Sequence, residues 1–242
     1  RVILLSFGFL FRGFPLFSCK SIFGYSLIAS SSVAMALLAF GVWAHHMFAV
    51  GLGNTVDSFF SASSMLIGIP TGIKIFNWLA TMYGGKIRFT VSMLFAVAFL
   101  VEFTIGGLSG IAFSIVPIDW QLTDTYYVVA HLHYVFIGGT IFGLLAGLFY
   151  WFPKMTGKML DEKLGKWFCW LFAIGFNVTF LVQHVLGILG MPRRVFTYPN
   201  LPWYGILNFI STVGAFMMGA ASLLLIYIIY KSRKYGEDAG ND

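Results

Sequence analysis

Two histidine pairs carry most of the chemistry available to this sequence: His131-Leu-His133 in one apolar stretch and His45-His46 in another. Successive residues of an α-helix turn by about 100°, so positions i and i+2 point roughly 200° apart. His131 and His133 therefore cannot chelate one ion from a regular helix, but each can ligate a different cofactor, one on either flank. Imidazole binds copper, iron and zinc well, and haem iron takes histidine as an axial ligand. Two haems beside one helix fit the opposite azimuths; a pair of hydrogen-bonded core histidines is the alternative. His45 and His46 diverge by about 100° on a helix. They reach one metal only where the backbone is distorted, and a doublet at a helix end is otherwise simply interfacial. No third ligand lies nearby in sequence, while Trp43 offers a wall for a cofactor pocket.

Other ionisable residues sit where hydrocarbon is expected: Lys74, Glu102 and His184. Such residues are rare within membrane spans and are functional hypotheses by default. Pro70 and Gly72 loosen the helix around Lys74, which stands too far from the helix end for simple snorkelling. With Thr71 as a relay, Lys74 is a candidate for proton conduction. Arg193 and Arg194 follow Met191-Pro192 on the side of the membrane where the His131 helix begins. Guanidinium forks suit carboxylates such as haem propionates, although an Arg-Arg loop alone is an ordinary surface feature.

The elements that position these residues follow from composition. Of 242 residues, 59% are hydrophobic and 10% charged, against about 25% charged in soluble domains. Runs long enough for a bilayer need roughly 20 residues. They fall at 2–17 (short, truncated), 22–42, 59–82, 90–116, 126–152, 167–190 and 204–230. The expected fold is an all-α membrane protein, a polytopic helix bundle of about six complete helices plus a truncated first one. Residues 1–242 form one domain, and the polar tail 231–242 frays or contacts a partner. The 27 phenylalanines are expected to face lipid or pack cofactors. Cys19 and Cys169 lie too far apart in sequence to suggest a metal motif.

Eleven of the fifteen basic residues (Arg12, Lys20, Lys86, Arg88, Lys154, Lys158, Lys163, Lys166, Lys231, Arg233 and Lys234) fall on one side of this partition. That side is expected to face the cytoplasm or mitochondrial matrix. The apolar start at Arg1 suggests the later part of something larger, split or processed.

The segments 43–48 (WAHHMF), 69–74 (IPTGIK), 124–133 (DTYYVVAHLH) and 190–194 (GMPRR) resemble, in order and over nearly the whole chain, subunit I of the haem-copper oxidases. The mitochondrial aa3-type cytochrome c oxidase is the expected nearest branch. The resemblance implies that His45 and His46 ligate copper B and that His131 ligates the high-spin haem a3. It further implies that His133 ligates the low-spin haem a, and that Arg193 and Arg194 hold haem propionates. Thr71 and Lys74 would line a proton path, and Asp124 would lie near the propionates and a possible magnesium. The implied activity is reduction of O2 to water with electrons from cytochrome c, coupled to proton translocation in the mitochondrial inner membrane.

Implied partners are a separate chain carrying the N-terminal half, subunits II and III, accessory subunits and membrane lipids, with no nucleic acid. The third copper ligand and the other low-spin haem ligand would belong to that N-terminal half. Two departures stand out: Thr123 replaces the histidine expected before Asp124, and Glu102 replaces an apolar residue. A membrane transporter with broken helices and a non-catalytic fragment that has lost its metals are the rival readings. Nitric oxide reductases share the histidines, but the Lys74 motif and Tyr126-Tyr127 fit the oxygen-reducing branch better.

Overall fold

The computed structural model describes residues 2–240. Ten α-helices follow one another: α1 (Val2–Ser18), α2 (Tyr25–Ala39), α3 (Asn54–Leu66), α4 (Gly68–Met82), α5 (Val91–Ser114), α6 (Val116–Leu122), α7 (Tyr126–His133), α8 (Phe142–Thr156), α9 (Glu162–Ile188) and α10 (Pro202–Tyr235). A tight 3₁₀ segment, Trp43–Val50, follows α2, and a wide π-helical segment, Tyr134–Ile141, joins α7 to α8. Six continuous helical runs are long and apolar enough to cross a membrane, with α1 a shorter apolar helix before them. This is the expected polytopic bundle.

Three breaks depart from regular helices. The chain tightens to 3₁₀ geometry at Trp43 after Gly41, and that turn ends at Gly51, which takes the left-handed conformation. Pro70 lacks an amide hydrogen, so α3 and α4 meet at Ile67 rather than forming one helix. The Thr71 hydroxyl donates to the Ile67 carbonyl at 2.8 Å, occupying an acceptor beside the break. In the π segment, a Cβ on Gly138 would lie 2.8 Å from Glu102 Cβ; glycine there lets the widened turn press onto α5.

The core is largely aromatic, and the expectation of lipid-facing phenylalanines is met only in part: Phe40, Phe76 and Phe216 are exposed, but about half of the phenylalanines are buried against protein. Phe95, Phe99, Phe142, Phe168 and Phe176 are buried among α5, α8 and α9. Trp78 is enclosed by Phe7, Phe14 and Phe99 at centroid distances of 5.5–5.9 Å. Lipid tails are as apolar as these rings, so close dispersion packing, not exclusion from water, draws them together.

The tail is also corrected: as far as residue 239 it docks on the bundle instead of fraying. Helix α10 continues to Tyr235, and Lys231 pairs with Asp161 at 2.7 Å. Beyond it Lys158 pairs with Asp238 at 2.6 Å, and the Met159 amide donates to the Glu237 carbonyl. Opposite charges and free loop amides supply the contacts a polar tail needs.

Asp161 also caps α9, accepting from the Leu164 amide at 3.0 Å. That amide and the Lys231 ammonium hold its carboxyl below the usual carboxylate range. A depressed folded-state value means the stabilisation is complete above the ordinary carboxylate value and fades as pH falls through the depressed one. Asp161→Ala is expected to lower unfolding stability by about 1 kcal/mol at neutral pH. Thermal unfolding of the solubilised protein should show that difference shrinking on acidification.

Candidate functional site

Helix α7 presents its two histidines to different neighbours, as the azimuth argument requires. The Nδ1 atom of His131 reaches the Ser109 hydroxyl at 2.8 Å and the Gly106 carbonyl at 3.1 Å, both on α5. The Ser109 hydroxyl itself donates to Gly106 O at 2.9 Å. Its only hydrogen is therefore engaged, so His131 Nδ1 carries the proton and Nε2 keeps a lone pair. The Cε1 atom of His131 lies 3.0 Å from where a Cβ on Gly110 would stand, so glycine leaves room for the ring.

His133 Nδ1 donates to the Val129 carbonyl at 2.7 Å, which likewise leaves Nε2 its lone pair. Its ring stacks on Phe180 of α9 at 4.1 Å and 16°. Close approach of α7 to α9 depends on Gly187, where the backbone of Tyr127 occupies the place a Cβ would need. The buried His184 packs beside Tyr127 and Tyr134, its ring nitrogens without hydrogen-bond partners among the described residues.

The 3₁₀ segment resolves the divergence expected of His45 and His46. Tightened winding brings their Nε2 atoms within 3.1 Å of each other. His45 Nδ1 lies 2.9 Å from the Ser64 hydroxyl, which donates to Phe60 O at 2.6 Å. By the same proton accounting, Nε2 of His45 is a lone pair, and it accepts from Nε2 of His46. The Trp43 ring sits edge-on to His46 at 5.1 Å, and Trp120 Nε1 anchors the segment by donating to Phe48 O at 3.0 Å. Among the described residues no group of three His, Cys, Asp or Glu is placed to hold a metal; the doublet supplies two donors.

Lys74 is 1% exposed, which excludes snorkelling. Its Nζ lies 3.2 Å from Met35 Sδ and 4.6 Å above the Phe7 ring. Thr71, one turn earlier, reaches the same sulfur at 3.7 Å. Among the described residues no carboxylate is paired with Lys74.

At the start of α7, Arg193 grips Asp124: Nε and Nη2 donate to Oδ1 at 2.9 and 2.6 Å. Two backbone bonds fasten the same loops, Tyr126 N to Met191 O and Arg193 N to Asp124 O. Asp124 and Arg194 both adopt left-handed backbone conformations, with φ of 57° and 62°. Arg194 is exposed. Asp119 is buried nearby, and burial together with Asp124 pushes its carboxyl up to about 6. Thr123 and a single carboxylate already paired with a guanidinium make a poor magnesium site.

Sequence reasoning missed Ser64, Ser109 and Gly106, the groups that set the imidazole protons. Their only signal was small polar or glycine residues within apolar helices, which ordinary helix packing also produces.

Fold and site together define a polytopic helical membrane protein whose half-buried imidazoles at His45, His131 and His133 are fixed by hydrogen bonds of this chain. Residues 1–217 match the family model described as Cytochrome C and Quinol oxidase polypeptide I, and the chain belongs to that family. It is 50% identical over 98% of its length to a cytochrome c oxidase subunit 1 of Alkalihalophilus pseudofirmus, covering 38% of that protein. It is 51% identical over 97% of its length to a quinol oxidase subunit 1 of Bacillus spizizenii, covering 36%. A heme-copper terminal oxidase dimer solved by cryo-EM shares the fold, with a TM-score of 0.71 at 18% identity over 84% of this chain and 41% of that one. The chain spans about two fifths of the length of the relatives it matches. These relatives are bacterial, and the expected mitochondrial placement finds no support in them.

Gly187→Ala is expected to force α7 from α9 and sharply reduce recovery of folded protein, overpacking of a close contact costing about 1–3 kcal/mol or more. Gly107→Ala, with nothing within 4 Å of its added Cβ, should be neutral or slightly stabilising. Solubilised yield and thermal midpoint compare the two.

Proposed function

We propose that this chain forms part of the catalytic subunit of a haem-copper terminal oxidase in a bacterial cytoplasmic membrane. Its role would be reduction of O2 to water, with electrons from cytochrome c or a quinol and coupled proton translocation. The observation that carries this reading is the proton placement on the imidazoles. His45, His131 and His133 each have Nδ1 committed to a fixed partner of this chain, which leaves the lone pair on Nε2, the atom that would ligate. Metal-ligating histidines are oriented by such outer contacts.

His131 would hold the iron of the oxygen-binding haem on the α5 side, and His133 that of a second haem on the α9 side. His45 and His46 would supply two ligands of a copper. The resemblance extends these groups to haem a3, haem a and copper B. When bound, they would supply the electron transfer and O–O bond cleavage that amino acids cannot. A third copper ligand and the second axial ligand of the low-spin haem would come from the N-terminal part of a complete subunit I, with subunits II and III and accessory subunits alongside.

The residues of this chain hold, orient and shield. Phe180 fixes the plane of the His133 ring, and Ser109 with Gly106 fixes that of His131. Arg193, held by Asp124 through Nε and Nη2, would offer Nη1 to a haem propionate, and the exposed Arg194 would offer a guanidinium fork. Lys74 and Thr71 would move protons from the basic side, with Met35 as their shared contact. The donor set at Asp124 does not fit magnesium, and no step depends on one.

In the intact complex, His131→Ala is expected to abolish carbon monoxide binding by the high-spin haem while sparing the low-spin band, and His133→Ala to do the reverse. Lys74→Met should keep both haem spectra but slow oxygen reduction by roughly 10²-fold, as for loss of a positioned proton-transfer group. Reduced-minus-oxidised spectra and oxygen consumption read these outcomes; haem bands unchanged in both histidine variants would overturn the assignment.

A further inference from the structure

Glu102 is a carboxylate at the middle of α5, 3% exposed, in the interior of a membrane bundle. Among the described residues it has no cationic partner, and its Oε2 has no hydrogen-bond partner. A leucine would fill such a site at far lower desolvation cost. What a leucine lacks is direction.

The remaining oxygen shows where that direction leads. Glu102 Oε1 accepts from Asn177 Nδ2 of α9 at 2.7 Å. Asn177 gives its other amide hydrogen to Ala173 O at 2.9 Å, and its Oδ1 accepts from the Tyr134 hydroxyl at 2.8 Å. Both hydrogens of the Asn177 amide are thus committed, and its flip state is set. Tyr134 immediately follows His133 and is fully buried. One turn beyond Glu102 on α5 stands Gly106, whose carbonyl accepts from His131. Gly138, one turn past Tyr134, lies against the Glu102 side chain with no room for a Cβ. A single residue of α5 is therefore tied to the chain just after His133, and lies one turn from the acceptor of His131. Rotation of α7 about its axis would strain the Tyr134–Asn177–Glu102 relay, because hydrogen bonds weaken beyond narrow ranges of distance and angle.

We propose that Glu102 is a positioning residue: acting through Asn177 and Tyr134, it sets the azimuth of α7 and hence the orientation in which His131 and His133 meet their haem irons. The inference rests on the haem assignments proposed above. It makes the carboxylate an acceptor within a relay between helices.

The test uses the complete oxidase carrying Glu102→Gln, Glu102→Leu, Tyr134→Phe or the Leu/Phe double change. Electron paramagnetic resonance of the oxidised low-spin haem reports imidazole orientation, and redox titration reports both haem potentials. Glutamine keeps a carbonyl oxygen for Asn177 and should leave both readouts native. Leucine and the Tyr134→Phe change should displace the low-spin g-values and potential in the same direction. The double variant should add nothing beyond the larger single effect, as expected for one shared network. Native readouts in both single variants, or a Glu102→Gln shift as large as that of leucine, overturn the proposal. If the leucine variant does not assemble, Tyr134→Phe decides alone: a displaced signal supports the relay, a native one refutes it. Failure here is separable from failure of the haem reading, which the loss or survival of haem bands in His131→Ala and His133→Ala tests independently.

Discussion

The organisation of the candidate site depends on one constraint: inside hydrocarbon a polar hydrogen left without an acceptor in the protein is costly. Three of the four candidate ligands obey it at the ring atom facing their own chain. His131 uses a carbonyl and hydroxyl of α5, His133 the carbonyl one turn behind it, and His45 the hydroxyl of Ser64. Satisfying Nδ1 in this way fixes the tautomer and the ring plane together. The opposite nitrogen is left as a lone pair aimed away from its anchor. The orientation of these rings is thus a by-product of hydrogen-bond satisfaction.

The same rule explains why the surrounding helices are irregular. Two imidazoles on adjacent residues of a regular α-helix diverge, and the 3₁₀ winding between Trp43 and Val50 turns them together. The π-helical widening after His133 lets the chain press Gly138 against Glu102 while Tyr134 keeps its hydroxyl on Asn177. Irregular windings of this kind gather at functional positions because they re-aim side chains that regular helices would carry elsewhere.

What the sequence disclosed and what it withheld divide along physical lines. The membrane spans were legible because apolar length is a local property, and the opposite azimuths of His131 and His133 followed from helical geometry that α7 retains. The convergence of His45 and His46 was not legible, since the switch to 3₁₀ winding depends on anchors far away in sequence, Ser64 and the Trp120 indole. Nor was the docked tail: Lys231 and Asp238 read as solvated charges until the fold brings Asp161 and Lys158 beside them. Phenylalanine identity says apolar but not whether lipid or protein is the neighbour. Glu102 could be flagged from sequence as misplaced, but its partner Asn177 lies 75 positions away, beyond any local pattern.

The junction at Asp124 follows the same logic with charge in place of a neutral donor. Asp124 sits in a left-handed turn that aspartate tolerates better than most residues. Its carboxylate is held twice by one guanidinium, while its own carbonyl accepts from the amide of that same arginine. The two loops are therefore locked by both backbone and side chain, and the cation that neutralises Asp124 is covalently part of the protein. A threonine at 123 offers no strong ligand to a competing metal ion. The arginine thus does the work of a structural cation: it fixes the loops that begin α7, about two turns before the first of its histidines.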